Sequence, residues 1–255
     1  MDFGLKGKTA IVTGGASGLG KAISEILAAE GANIVVSGSR DISKIQEFVD
    51  ILNEKYSGVS AAVQGNLFVR DDIDKLFNTA YEKYGEIDIL VNNAGMWPTA
   101  YVKDMEEEDF EKTLRFNLEV PFILSKMMVN HLIDSGRKGK IINIVSQAAF
   151  HGSTTGHAHY AASKGGLVTF TISLAREVAK YGINVTAVAP GFMKTPMMEK
   201  SFEKDGSEEY YRQRVPLGRI SDPEEVAYAV AFLASNKADY ITGATLDVTG
   251  GTLMR

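Results

Sequence analysis

Residues 9–27 read TAIVTGGASGLGKAISEIL, and the order of events in that stretch decides the fold. An apolar run of strand length ends at Thr13, glycines follow at Gly14, Gly18 and Gly20, and the stripe Leu19, Ala22, Ile23, Ile26 and Leu27 then recurs at helical spacing. Glycine permits positive φ at such a turn, lets a pyrophosphate approach the backbone, and lets helix and strand pack closely. The helix N-terminus meanwhile attracts phosphate charge. The spacing is G-x-x-x-G-x-G rather than G-x-G-x-x-G, and a tight strand-to-helix turn that serves structure alone is the alternative reading.

The alternation of strand and helix continues outward from this stretch. Further apolar runs are NIVVS at 33–37, VSAAVQ at 59–64, IDILVN at 87–92, KIINIVS at 140–146, INVTAVA at 183–189 and ATLDV at 244–248. Between them lie helical stripes such as Ile42, Ile45, Phe48, Val49 and Leu52. The expected architecture is α/β: a doubly wound, seven-stranded parallel sheet with helices on both faces, forming a single domain over 1–255. Asp222-Pro223-Glu224-Glu225 predicts the start of a late helix, with a cap, a first-turn proline and acids at the positive end of the dipole. Residues 192–217 break the pattern and are expected to form a lid over a substrate site.

Composition narrows the function classes. The 255 residues are 45% hydrophobic and 23% charged, which fits a globular domain rather than a disordered or membrane-spanning chain. A net charge of -5 and the lack of a long basic run argue against a nucleic-acid partner. With 0 cysteines, thiolate and disulfide chemistry are excluded. The start MDFGLKGKTA lacks the apolar core of a signal peptide, and no apolar run is long enough for a membrane helix, so a cytoplasmic location is expected.

The reactive candidates centre on HYAASK, residues 159–164. Tyr160 and Lys164 stand four apart, which puts both on one helix face about 6 Å apart along the axis. A free phenol has a pKa of about 10, too high for efficient proton transfer at neutral pH, and a nearby ammonium is expected to lower it. The spacing alone is weak, because 10 tyrosines make a chance match on the order of one per chain. Asn117 lies on a face shared with Phe110, Leu114, Pro121, Leu124 and Met128. Pro121 has no N–H to offer the Asn117 carbonyl, so a break in the helix is expected there.

In order along the chain, TGGASGLG, Asn92-Asn93-Ala94-Gly95, Ser146, Tyr160 with Lys164, and Pro190-Gly191 resemble the classical short-chain dehydrogenase/reductase family over nearly the whole length. The resemblance implies that Tyr160 gives or takes a hydroxyl proton while hydride moves to or from nicotinamide, that Ser146 binds the reacting oxygen, and that Lys164 also holds the nicotinamide ribose. It further implies that the Asn117 carbonyl holds a water of a proton relay. An asparagine satisfied by neighbouring backbone is the alternative. Ser146 precedes Tyr160 by 14 residues where the family more often has 13, and the loop HGSTTGHAH at 151–159 is expected to absorb the difference.

The cofactor-binding set implied is Gly14, Ser17, Gly18, Leu19, Gly20, Ser39, Arg40, Asn66, Leu67, Asn93, Ala94, Gly95, Tyr160, Lys164, Pro190, Gly191 and Thr195. No acid stands near Gly38 to bind both ribose hydroxyls, and Ser39 with Arg40 suits a 2′-phosphate, so NADP is favoured over NAD. Ser17, where NADP-preferring relatives often carry a basic residue, speaks the other way. The crowd of His151, His157 and His159 is read as pocket lining or loop surface rather than a metal site. Trp97, Met193, Met197, Met198, Phe202 and Tyr210 suit an adaptable pocket under a lid. The substrate is expected to be a small alcohol or ketone: a sugar or polyol, a hydroxysteroid or a 3-oxoacyl compound. The resemblance implies a homodimer or homotetramer paired through the helices of Asn117 and Tyr160, with Gly165, Gly166 and Ala175 leaving room for close contact. A catalytically silent dinucleotide sensor is the alternative function.

Overall fold

The seven apolar runs form seven strands in one parallel sheet: β1 Thr9–Val12, β2 Asn33–Gly38, β3 Ala61–Gln64, β4 Ile89–Asn92, β5 Gly139–Ile144, β6 Ile183–Pro190 and β7 Thr245–Val248. Their spatial order is β3-β2-β1-β4-β5-β6-β7, so the winding reverses between β1 and β4. In doubly wound sheets ligands bind outside the carboxyl ends of the strands at that reversal. This computed structural model describes residues 2–39, 41–153, 155–199 and 208–255; Arg40, Phe202 and the centre of the expected lid at 192–217 lie outside the described residues.

Strands buried on both faces need apolar residues at successive positions, which is why their sequences run apolar without alternation. Helices α1 (Gly18–Ala29) and α2 (Ile42–Lys55), with the helix Pro223–Ala234, cover one face. There Ile23, Leu27, Phe48, Leu52 and Val230 pack against Val12, Ile34, Val36 and Ile142. Helices α3 (Arg70–Tyr84), α5 (Val120–Asp134) and α7 (Ala158–Val178) cover the other. Leu76, Leu124, Met128 and Leu174 meet Ile11, Val35, Leu90 and Ile141 on that side. Each aliphatic side chain fully removed from water here contributes about 1.5–3 kcal/mol. Within the expected stripe of α2, Ile42 is the exception and lies exposed at the first turn.

Helix boundaries follow local chemistry. Asp41 caps α2 by accepting from the Ser43 N–H at 2.9 Å, and Gly85 ends α3 in the left-handed region at φ 73. The late helix begins at Pro223 as expected, with the Asp222 N–H donating to the Glu225 carboxylate at 3.1 Å.

The break expected near Pro121 takes a specific form. Helix α4 (Glu107–Leu114) passes into a π-turn over Arg115–Glu119, in which the Val120 N–H reaches back five residues to the Arg115 carbonyl, and α5 follows. One extra residue per turn accommodates a proline that cannot donate four residues back. Phe110 is exposed, contrary to its place on the expected inward stripe, and Thr113 is buried one turn before Asn117 instead. Two of the small residues read as room for a partner, Gly166 and Ala175, also meet residues of their own chain. A Cβ on Gly166 would sit 2.9 Å from Leu118, and one on Gly243 would sit 3.6 Å from Ala175.

Candidate active site

The glycine turn of the opening stretch faces the end of β4 across the reversal point. Gly14 and Gly18 have φ of +63 and +50, and a Cβ at Gly20 would lie 2.1 Å from the Gly14 carbonyl oxygen. No other residue fits there without moving backbone. Ser17 precedes α1 in extended conformation, exposed and without a side-chain cap bond, so the first N–H groups of α1 point outward with no partner inside the helix. Leu19 is buried in the core and serves the turn through its backbone and packing.

Thr13 ties this turn to the Asn93-Ala94-Gly95 segment. Its hydroxyl accepts from the N–H groups of Asn93 and Ala94 at 2.9 Å each, and the Asn93 side chain donates to the Thr13 carbonyl at 2.9 Å. Thr13 was not among the expected site residues, although its place ahead of Gly14 at a strand end was the available signal. Beneath the segment, Asn92 donates to Ser125 and Asn143 at 3.2 and 2.8 Å, and Asn143 donates to Thr171 at 2.9 Å. This buried polar bridge joins β4 and β5 to α5 and α7. Thr195 stands across the turn, 3.7 Å from where a Gly18 Cβ would be, and Pro190-Gly191 lie at the end of β6. A glycine cradle, outward helix N–H groups and a threonine opposite them fit the pyrophosphate and carboxamide ends of a nicotinamide dinucleotide.

At the β2 and β3 ends the fit is more mixed. Ser39 is exposed beside Gly38, and the Asp41 carboxylate is turned into its own helix cap. Asn66 is exposed, and its Oδ1 accepts from the Phe68 N–H at 3.1 Å, which leaves one lone pair for an incoming donor. Leu67 is buried in the core, so only its backbone is offered to a ligand.

Asn117, Ser146, Tyr160 and Lys164 converge beside Gly95. A Cβ on Gly95 would lie 3.5 Å from Asn117 Oδ1 and 3.6 Å from Lys164 Nζ. Both N–H donors of the Asn117 amide and one lone pair of its oxygen are used. The amide accepts from the Met96 N–H at 2.9 Å and donates to the Met96 carbonyl at 2.9 Å and to the Ser163 hydroxyl at 3.1 Å. Ser163 donates in turn to the Tyr160 carbonyl at 2.7 Å. Both Met96 and Ser163 escaped the sequence reading, the first because only its backbone acts.

Ser146 stays next to Tyr160 despite the longer interval: its hydroxyl accepts from the Ala148 N–H at 3.1 Å and lies close enough to the Tyr160 phenol to work against the rise in its pKa. The short helix α6 (Ala148–His151) and the turn after it take up the extra residue; Thr154 in that loop lies outside the described residues.

The electrostatics differ from the expectation of a phenol acidified by its lysine. Burial pushes the Tyr160 phenol above its ordinary value, opposed by the Ser146 hydrogen bond. Burial also draws the Lys164 ammonium down to about 8. Nζ lies 5.9 Å from the centre of the Tyr160 ring and donates to the Ile144 carbonyl at 2.7 Å. Loss of hydration therefore outweighs mutual attraction for both groups. Lys164 thereby becomes a group that can exchange its proton near neutral pH.

Among the described residues, no group of three or more His, Asp or Glu side chains is placed to hold a metal ion, and no helix is long and apolar enough to cross a membrane. His151 and His157 each direct Nδ1 at a backbone carbonyl, of Gly152 at 2.7 Å and Pro98 at 2.8 Å, while His159 is buried with neither ring nitrogen partnered.

Residues 14–252 match the family model described as enoyl-(acyl carrier protein) reductase. The 3-oxoacyl-[acyl-carrier-protein] reductase FabG of Thermotoga maritima is 40% identical over 253 residues, covering 98% of this chain and 99% of that protein. The FabG of Escherichia coli K12 is 39% identical over 254 residues, covering 100% of both. A crystal structure provisionally described as a gluconate dehydrogenase, from Agrobacterium tumefaciens, superposes with a TM-score of 0.92 at 32% identity, covering 100% of this chain and 99% of that one.

Proposed function

The chain belongs to the short-chain dehydrogenase/reductase family and is an NAD(P)-dependent oxidoreductase acting on CH–OH groups, and on that premise we propose that Tyr160 is its general acid and base. The observation that carries this is the convergence of Ser146, which acts on the Tyr160 phenol, and of Lys164 Nζ, 5.9 Å from the phenol ring and beside Gly95, at the end of β4. In ketone reduction the Tyr160 hydroxyl gives its proton to the carbonyl oxygen, which also accepts from Ser146. In alcohol oxidation the same oxygen takes the proton back. A raised phenol pKa favours the protonated acid that reduction needs.

A bound nicotinamide dinucleotide supplies or accepts the hydride. Gly14, Ser17, Gly18 and Gly20 would hold its pyrophosphate, with Thr195 at the carboxamide and Lys164 at the ribose. Asn93, Ala94, Gly95, Pro190 and Gly191 would wall the ring. Lys164, able to lose a proton near pH 8, replenishes the phenol, and the Asn117 carbonyl is the place for a water that links it to solvent. The engaged Asp41 carboxylate, together with Ser39 at the β2 end, supports NADP(H) as the preferred form.

Tyr160→Phe tests the assignment. Turnover of ketones and secondary alcohols should fall by at least about 10²-fold, while NADPH still binds with unchanged fluorescence enhancement. A variant that retains most of its turnover removes Tyr160 from the role.

A further inference from the structure

Trp97 is the sole tryptophan of the chain and stands two residues past Gly95. Its backbone position is set by Asn117, because both polar groups of Met96 are bound by the Asn117 amide at 2.9 Å. The residues that follow are laced to the loop ahead of α7. The Ala100 N–H donates to the Gly156 carbonyl at 2.8 Å, and His157 Nδ1 lies 2.8 Å from the Pro98 carbonyl. A carbonyl only accepts, so Nδ1 carries the proton, and the imidazole plane is fixed by that bond. The indole stacks on this imidazole with centroids 4.3 Å apart and planes 25° apart. It also meets the Tyr160 ring at 6.3 Å and 61°, and packs against the cluster of Met198, Tyr211 and Ile220.

A carbonyl oxygen bonded to the Tyr160 hydroxyl brings its two substituents within a few ångström of the phenol. One flank of that phenol is already filled by a large ring. The ring is held by stacking on a hydrogen-bonded partner and by a hydrophobic cluster, so moving it aside disrupts several contacts together.

The geometry points to Trp97 as a specificity-determining residue that limits how far a substrate extends beyond its reacting carbon. The site then takes compact oxo and hydroxy compounds in preference to long-chain 3-oxoacyl thioesters. This rests on the dehydrogenase reading of the same site and names its substrate class.

The test compares N-acetylcysteamine thioesters of 3-oxobutanoate and 3-oxododecanoate with NADPH in the wild type, Trp97→Phe and Trp97→Ala. The wild type should favour the short thioester by about tenfold or more in kcat/KM, within the range by which an apolar pocket weighs chain length. Trp97→Ala should shift that ratio about tenfold toward the long thioester, with Trp97→Phe between. Equal treatment of the two by the wild type, or a ratio unmoved by Trp97→Ala, overturns the proposal.

A second readout does not need turnover. Ketone and NADP⁺ cannot exchange hydride, so quenching of the single tryptophan's fluorescence by each thioester in the presence of NADP⁺ reports binding alone. Quenching by the short thioester at much lower concentration than by the long one supports the size limit. If this occurs with no turnover, only the dehydrogenase reading fails. Equal quenching by both, or quenching by neither, overturns the size limit.

Discussion

Strand β4 has a buried ionic group at each end, and the two ends treat charge in opposite ways. At its start, Asp88 accepts from the Thr9 N–H at 3.0 Å, Lys8 at 2.9 Å and Arg137 at 2.9 Å. Burial works to raise its pKa, but the Thr9 N–H and the two cations together hold it below the ordinary carboxylate value. Past the other end, Lys164 is as deeply buried, yet its hydrogen bond runs to a neutral carbonyl and burial pulls its pKa down to about 8. A buried group keeps its charge when ionic partners replace the lost water, and surrenders it readily when they do not. The first arrangement locks a strand in place, and the second leaves a proton free to move.

The largest expected effect that separates the two ends comes from Lys164→Met. Alcohol oxidation should fall by about 10²–10⁴-fold, as befits a group in the proton path. Stability near pH 7 should nonetheless rise by about 1–3 kcal/mol in urea unfolding, because the variant no longer buries an ammonium. The sign of the pH dependence follows. A lysine whose folded pKa is depressed binds more protons unfolded than folded between about 8 and 10.5, so wild-type stability climbs over that interval and the gap to the variant narrows. A destabilised Lys164→Met would mean that both ends of β4 are structural.

Asp88→Asn should do the reverse. We expect a loss of about 2–3 kcal/mol in urea unfolding, discounted for the partial exposure of Lys8 and Arg137, with kcat/KM close to wild type. Since the Asp88 carboxyl is held low, its contribution is complete above the unfolded carboxylate value of about 4 and disappears as pH falls through its folded value. A large change in kcat/KM would couple the ends through the strand.

The smallest effect lies beside Asp88. His131 accepts from the Ile87 N–H at 3.2 Å, and burial with help from Arg137 lowers its pKa. Protonation removes that acceptor, so stability should drop by about 1 kcal/mol as pH falls from about 6.5 through the lowered value. His131→Phe should flatten this part of the curve, and a slope unchanged by the substitution would assign it elsewhere.

Most of the frame was legible in the residues themselves. Seven apolar runs became seven strands because a sheet covered on both faces favours consecutive apolar positions, and in the glycine turn Gly14 and Gly18 take positive φ while a Cβ on Gly15 or Gly20 would strike backbone. Spacing also brought Ser146, Tyr160 and Lys164 to one place. The roles of Met96 and Ser163 were not legible, since each meets Asn117 far along the chain, Met96 through its backbone and Ser163 through its hydroxyl; Thr13 reaches Asn93 and Ala94 at a similar distance in sequence. The inward stripe through Phe110 failed because a π-turn changes the phase of a helix, and regular periodicity assumes that none occurs.

By itself the sequence determined the order of strands and helices, the glycine turn and the identity of the reactive side chains, because these depend on neighbours within a few residues. Only the tertiary structure decided the direction in which burial moves the pKa values of Tyr160 and Lys164, the clamp that Asn117 places on Met96, and the indole beside the phenol. Those properties depend on how much water is removed and which distant groups replace it, and that is settled when strands and helices pack together.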